Sequence, residues 1–556
     1  MVTSARIRGI TFVLAATLAA GACGSSSATT APLGGLSGNG NGNAPRPASS
    51  AAASVGGAQA PQAAASAAPS MAGANTGNMP GATSIPGANG GNLPGATPGD
   101  VTFPETGLNP YVSTSRDHLS TFGLDVDTAS YTVARTYVDN GNLPDPASVR
   151  VEEWVNFFDQ GYTAPETGTF AIHSDGVPAP FLTGSSSQNE VLLRVGVKAR
   201  TVARSQRPDA SLTFVIDTSG SMSEDGRLEM VKSALRLLVE QLRPSDRVAI
   251  VAFSTEARVV LPSTAGDNRN RILGAIDELQ PEQTTNVEAG MTLGYSLARE
   301  SMIEGGINRV ILASDGVANV GSTSASSILA EVSRDAAAGI QEVSIGVGLG
   351  NYNDALLEQL ADKGDGFYAY INSEDEAHRL FVDKLVSTID TVALDAKAQV
   401  DFNPDVVAEY RLIGYENRSI ADQDFRNNNV AAGAIGAGHA VTALYGLKLR
   451  EGVASGDRVA TVSLRWTDPS TKGATEMAQD VTGSDISGSW GTADPHLRLD
   501  TLVAAAAETF RGSPWISDFS LAQLADAANN VRNDLPRTSQ IDDFLTMLDR
   551  SSRLAR

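Results

Sequence analysis

Leu212-Thr-Phe-Val-Ile-Asp217-Thr-Ser219-Gly-Ser221-Met-Ser223 is the stretch on which the reading of this chain turns. It opens as a short apolar run rich in β-branched and aromatic residues, the pattern of a strand buried on both faces of a parallel sheet. It closes on an aspartate, a threonine, a glycine and three serines, just before an amphipathic helix. Asp-x-Ser-x-Ser after a strand puts one carboxylate and two hydroxyls on one tight turn. That turn lies outside the carboxyl end of the strand, where open α/β sheets hold ligands. Hard oxygen donors there suit a small divalent cation, Mg²⁺ above all, which keeps several waters and takes few protein carboxylates. The same residues also read as an ordinary helix cap, in which Asp and Ser satisfy free N–H groups. Taken alone they do not choose between the two.

The surrounding chain does. Leu228, Val231, Leu235, Leu238 and Leu242 recur at spacings of three and four, the core stripe of a helix. Residues 247–254 read as a buried strand and 257–261 as a short antiparallel edge. A helix follows over 269–279, then a polar loop, Gln283-Thr284-Thr285-Asn286, and a helix through Leu297. The run from Arg309 is a strand that ends in a second aspartate, Asp315. Helices over 324–338, from Asp354 and from Glu374 alternate with strands at 342–347 and 367–371. Such alternation specifies an α/β fold with a doubly wound, mostly parallel sheet.

Three polar clusters thus fall on three successive strand-end loops: Asp217/Ser219/Ser221, Thr284/Thr285 and Asp315. The arrangement resembles the von Willebrand factor A (VWA) domain and its metal-ion-dependent adhesion site (MIDAS). The resemblance implies direct coordination by Ser219, Ser221 and Thr285, with Asp217 and Asp315 acting largely through waters. Mg²⁺ is the expected ion, with Mn²⁺ or Ca²⁺ as alternatives. Few charged ligands on the ion leave it electrophilic towards a Glu or Asp presented by a partner protein. In bacterial relatives the threonine loop often reads Gly-Gly-Thr-Asn, whereas Gln283 and Thr284 stand here. Either threonine could be the ligand, and Asn286 following Thr285 favours Thr285. Ser314 stands where a threonine is common.

Beyond this segment, Asp125-Val-Asp-Thr-Ala-Ser-Tyr131, Arg150-Val-Glu-Glu-Trp154, Gly346-Val-Gly-Leu-Gly-Asn-Tyr-Asn-Asp354 and Leu412-Ile-Gly-Tyr-Glu-Asn-Arg418 resemble one bacterial family. Its members are lipoproteins with a central A domain between their own flanking regions, and the likeness extends over residues 115–550. The resulting division is 1–23 signal, 24–100 tether, 101–208 α+β flank, 209–389 A domain, 390–490 β-rich domain and 491–556 helical region. The A domain is expected to be inserted in, or flanked by, the β-rich domain.

The lone cysteine fits that picture. Residues 1–8 carry two arginines and no acid, residues 10–22 are small and apolar, and Ala20-Gly21-Ala22 precede Cys23. This is a secretory signal too short to span as a permanent helix, and it resembles a lipoprotein signal in which Cys23 is acylated. The protein is then exported and held on an extracytoplasmic membrane surface by its lipid alone. Residues 24–100 hold Arg46 and Asp100 as their charged residues and too little apolar side chain to offset ordering entropy. They form a disordered tether with a reach on the order of 50 Å.

The chain has 556 residues and a net charge of −22, which excludes binding to a nucleic-acid backbone. Five histidines, His118, His173, His378, His439 and His496, are scattered, and no Gly-x-Ser-x-Gly elbow accompanies Ser219. A metal-dependent hydrolase is therefore the least favoured reading. A cation-dependent adhesion or scaffolding module leads, with an accessory subunit of a membrane complex as the alternative. Three further features are expected. Asp125 and Asp127 form either a helix cap with Thr128 or a second cation site. Residues 149–158 form an amphipathic helix. The loop Gly433-Ala-Ile-Gly436-Ala-Gly438-His439 uses its glycines for backbone geometry, because no lysine adjoins it in sequence to make an anion cradle.

Overall fold

The strand read from Leu212 lies at the centre of a six-stranded sheet in the computed structural model, which describes residues 103, 106–178, 189–316, 322–348, 354–516 and 519–555. The readings made for Cys23 and the 24–100 tether lie outside the described residues. Across the sheet run Phe367–Ile371, Gln341–Val347, Ile307–Ser314, Ala210–Asp217, Arg247–Phe253 and Ala257–Ala265. All neighbours are parallel except the last pair, where Ala257–Ala265 returns as an antiparallel edge. Side chains alternate across a strand. Leu212, Phe214 and Ile216 therefore pack under the helices Arg227–Gln241 and Arg269–Asp277, while Val215 packs under Val287–Glu300 on the other face. With helices on both faces the central strands are buried throughout, which is why they read as unbroken apolar runs.

The chain on either side of this domain builds one two-sheet β unit, so the A domain is an insertion. One antiparallel sheet orders Val112–Ser113, Val407–Ile413, Ala440–Leu449, Glu190–Ala199 and Phe170–Val177, mixing strands from before and after the insert. The second is built on Thr391–Phe402, which pairs with Leu119–Gly123, Ala434–Gly436 and Arg458–Thr467, and Ala474–Thr482 extends it. Leu193, Val195, Phe402, Tyr445, Val462 and Leu464 belong to the core the two sheets share. The helices Pro495–Phe510, Leu521–Arg532 and Ser539–Leu554 form a further core with Val151–Phe157. The helix Ala129–Asp139 joins this core to the A domain. Tyr131, Ala134 and Val138 face the C-terminal helices, and Ala129, Val133 and Tyr137 face the A domain.

Two local expectations are corrected. The helix Val151–Phe157 is not amphipathic in the sense of having a wet face, for Glu152, Glu153 and Asn156 are buried with its apolar residues. Glu152 Oε2 is buried without a hydrogen-bond partner among the described residues, whereas Asn156 is fully engaged. Asn156 Nδ2 donates to Thr442 O (2.9 Å) and Asn156 Oδ1 accepts from Thr442 N (2.7 Å), mimicking a strand pairing. Asp125 and Asp127 do not cap the following helix, whose first residue is preceded by Thr128 with no side-chain cap. Asp127 Oδ1 instead accepts from Tyr368 N (3.0 Å) and Oδ2 from Arg418 Nη2 (2.7 Å). The half-buried Arg418 also lies 3.5 Å from Asp125 and 3.2 Å from each of Glu358 and Asp362. One guanidinium thereby gathers carboxylates from the N-terminal flank and the A domain onto the C-terminal flank, which also disfavours a cation at Asp125 and Asp127.

Removing one partner of a buried charge network costs about 3–5 kcal/mol, because the others are left uncompensated. Arg418→Met should therefore lower the calorimetric unfolding midpoint and separate the A-domain transition from that of the flanks. Arg418→Lys should recover little, since an ammonium cannot present a planar fork to several carboxylates. An unchanged single transition in Arg418→Met would contradict this assignment.

Candidate metal centre

Asp217 ends the central strand and is fully buried, as is Thr218, which follows it. The cap reading fails here. The helix after the loop, Arg227–Gln241, begins well beyond Asp217, and its N-cap residue is the left-handed Gly226 (φ 70°). Asp217 folds back on its own loop: Oδ1 accepts from Ser219 N at 2.8 Å. Its other oxygen, Oδ2, accepts from Ser314 Oγ (2.6 Å), which ties this strand end to that of the adjacent strand Ile307–Ser314. The Ser219 and Ser221 hydroxyls stand 3.1 Å apart, on the same side of the loop. Burial pushes the Asp217 carboxyl up to about 6, opposed by the Ser314 hydrogen bond and reinforced by the Asp315 charge.

Asp315 follows strand Ile307–Ser314 and is buried beside this loop. Its Oδ2 accepts from Arg227 Nη1 at 2.9 Å, and the same nitrogen donates to the Ser221 carbonyl at 3.1 Å. Arg227 therefore clamps the first loop to the third from below. Sequence reasoning missed it, since an arginine opening an amphipathic helix reads as solvated. Asp315 Oδ1 is buried with no hydrogen-bond partner among the described residues. A carboxylate oxygen so placed is costly unless something supplies a positive charge or a donor.

The second loop is not a strand end as expected, for it joins the helices Arg269–Asp277 and Val287–Glu300, yet it runs against the first. Gly220 N donates to Gln283 O (3.3 Å), and Glu282 N donates to Thr218 O (2.5 Å). Asn286 caps the next helix by accepting from Ala289 N at 3.1 Å. Thr284 is exposed and its hydroxyl is 2.6 Å from that of Thr255. Thr285 is half-buried and its hydroxyl bonds to none of the described residues, so it is the threonine left with a free donor atom. The fold thus joins Asp217, Ser219, Ser221 and Asp315 through direct contacts and their supports. Thr285 lies on the adjoining loop without a hydrogen bond to them. Among the described residues no three His, Cys, Asp or Glu side chains are grouped so as to hold a metal ion by themselves. The donor set is two carboxylates and three hydroxyls, which fits a hard divalent cation and would not suit a soft one.

Comparison with known proteins identifies the domain that carries these loops. Residues 211–384 match the von Willebrand factor type A domain, residues 98–187 match a family described as von Willebrand factor, and residues 387–554 match the C-terminal family of the uncharacterized protein YfbK. The chain is 36% identical over 465 residues to the Escherichia coli uncharacterized protein YfbK, covering 79% of each. It is 30% identical over 190 residues to the uncharacterized protein sll0103 of Synechocystis, covering 34% of this chain and 44% of that one. A solved von Willebrand factor type A protein from Catenulispora acidiphila aligns with 68% of this chain and 89% of its own, at 16% identity and a TM-score of 0.40.

Arg227→Met should destabilise the metal-free protein by about 3–5 kcal/mol, the usual cost of stranding a buried charge. Thermal unfolding in EDTA reads this directly. A midpoint equal to that of the unsubstituted chain would show that the arginine does not hold the two loops together.

Proposed function

Because the chain belongs to the von Willebrand factor A family that includes the Escherichia coli protein YfbK, we propose that its A domain is a cation-dependent protein-binding module, held at the cell envelope by a lipid on Cys23. The orphaned Asp315 Oδ1 beside the buried Asp217 carries this reading. Of the two neighbouring carboxylates only Asp315 is paired with a guanidinium among the described residues, and three hydroxyls lie on the adjoining loops, so a cation would complete what the fold leaves open. Ser219, Ser221 and Thr285 would hold it directly, with Asp217 and Asp315 orienting its waters. Mg²⁺ suits this set best, with Mn²⁺ or Ca²⁺ as alternatives.

Bound there, the ion supplies a Lewis-acidic position for an acidic side chain of a partner protein. The chain's own contribution is to fix the hydroxyls rigidly. Asp217 is tied to Ser219 and Ser314, and Arg227 ties Asp315 to Ser221, so little ordering remains to oppose binding. The role is adhesion or scaffolding rather than catalysis: the set contains no histidine or cysteine and no nucleophile paired with a base. The 24–100 tether would let the module reach partners away from the membrane surface.

Calorimetric titration of Mg²⁺, Mn²⁺ and Ca²⁺ into EDTA-treated protein should show one ion per chain. Asp217→Ala should abolish binding, and Thr285→Ala, which breaks no side-chain hydrogen bond among the described residues, should weaken it without altering thermal stability. Capture of envelope proteins should then depend on the cation and fail in Thr285→Ala. Absence of binding up to millimolar metal, with capture indifferent to EDTA, would overturn the proposal.

A further inference from the structure

The glycine loop 433–439 has a setting that its sequence hides. Gly436 packs so closely on the end of the A domain that a Cβ there would lie 1.8 Å from Ser387 O. Gly433 (φ +74°) would place one 2.1 Å from the Asp125 side chain. Drawn in this way, the loop forms part of the wall of a cavity of about 630 Å³ where the A domain, both flanks and the C-terminal helices meet. That is within the volume range of small-molecule sites.

The fold brings to this loop the lysines it lacks in sequence. Lys198, from strand Glu190–Ala199, donates through Nζ to Gly438 O at 2.7 Å. Lys384, from the end of the A domain, faces the same cavity, and its ammonium has no hydrogen bond or ion pair among the described residues. His439 completes the group, and its ring likewise has no hydrogen-bond partner among them. Lys384 is exposed, so its side chain meets the open cavity rather than packed side chains. Desolvation, helped by Arg379 and Lys198 and opposed by Asp159 and Glu376, pulls its ammonium down to about 7. Burial, and then Lys384 and Lys198, hold the His439 imidazole down at about 3.

The acidic groups of the cavity are otherwise engaged or set apart. Asp125 and Asp127 are taken by Arg418, and Arg379 is held by Glu376. Asp383 lies 3.4 Å from His378, which leaves Asp159 as the counter-charge nearest to both lysines. Across the cavity the lining turns apolar, with Phe158, Leu499 and Ile541.

We propose that this cavity is a binding site for a small organic anion with an apolar body, its acidic group held by Lys198, Lys384 and His439 and its body against Phe158, Leu499 and Ile541. The ligand touches four parts of the chain at once, so it would lock the inserted A domain to its flanks. The proposal is independent of the metal centre: Phe367 and Tyr368 line the cavity at the start of their strand, whereas Asp217 and Asp315 stand at the carboxyl ends of theirs.

The test uses the full chain and two naphthalene probes, anionic 8-anilinonaphthalene-1-sulfonate and its uncharged analogue N-phenyl-1-naphthylamine. The sulfonate should bind saturably at one site and raise the thermal midpoint, as a ligand of the native state must. Lys384→Met should weaken it by about tenfold or more, the worth of one charged hydrogen bond, and leave the uncharged probe unaffected. Lys384→Arg should restore it. Displacement by dodecanoate would assign a carboxylate ligand, and displacement by dodecyl phosphate alone a phosphorylated one. No saturable binding, equal affinity in Lys384→Met, or displacement by neither anion would overturn the proposal.

Discussion

The constraint on which the rest of this structure depends is the pairing of Arg418 with Asp125, Asp127, Glu358 and Asp362. An inserted domain is connected to its host by two chain crossings, and nothing in that connection fixes its orientation. A guanidinium can fix it, because its planar fork satisfies several carboxylates in defined directions. Both crossings are pinned in the same manner. On the way in, Arg207 pairs with Asp246 at 2.6 Å, both side chains fully buried. On the way out, the buried Arg309 donates to Ile389 O at 3.2 Å and to Thr391 Oγ1 at 2.5 Å. Buried ion pairs of this kind add little net stability but penalise every arrangement in which they are broken. Orientation, more than stability, is what they supply.

A fixed orientation gives both candidate sites their shape. The metal centre is local to the A domain: two adjacent strand ends of one parallel sheet present their loops beside the helix-to-helix loop that carries Thr285, and Ser314 and Arg227 cross-link the two strand-end loops. The cavity is the opposite case. No single segment forms it, and it exists because helices, sheet and insert meet at fixed angles around a glycine loop too tightly packed to bear side chains.

How much of this was legible in the sequence follows from the range of each interaction. Fully buried parallel strands are apolar runs, so 342–347 and 367–371 were readable almost to the residue. The Asp-x-Ser-x-Ser loop and Asp315 were readable because ligand loops follow strand ends. Two strands of the β unit were not. Phe170–Val177 carries Ser174-Asp-Gly176, a turn signal, and Ala474–Thr482 is an edge whose residues are mostly exposed and polar. Asp125 and Asp127 suggested a cap or a cation because their true partner, Arg418, lies some 290 residues later. Arg227 and Lys384 escaped for the same reason. A charged residue at a helix edge looks solvated until the fold shows what surrounds it. The glycine loop was dismissed as an anion site for want of a neighbouring lysine, and tertiary structure supplies two.

The central claim is that the loops carrying Asp217, Thr285 and Asp315 enclose a divalent cation. Diffraction from crystals grown with Mn²⁺, measured on both sides of the manganese absorption edge, tests it most directly. The account predicts an anomalous peak among Ser219, Ser221 and Thr285 that disappears in crystals of Thr285→Ala. A peak elsewhere, or none at this junction in crystals saturated with Mn²⁺, would contradict it and leave Asp315 Oδ1 to be satisfied by water alone.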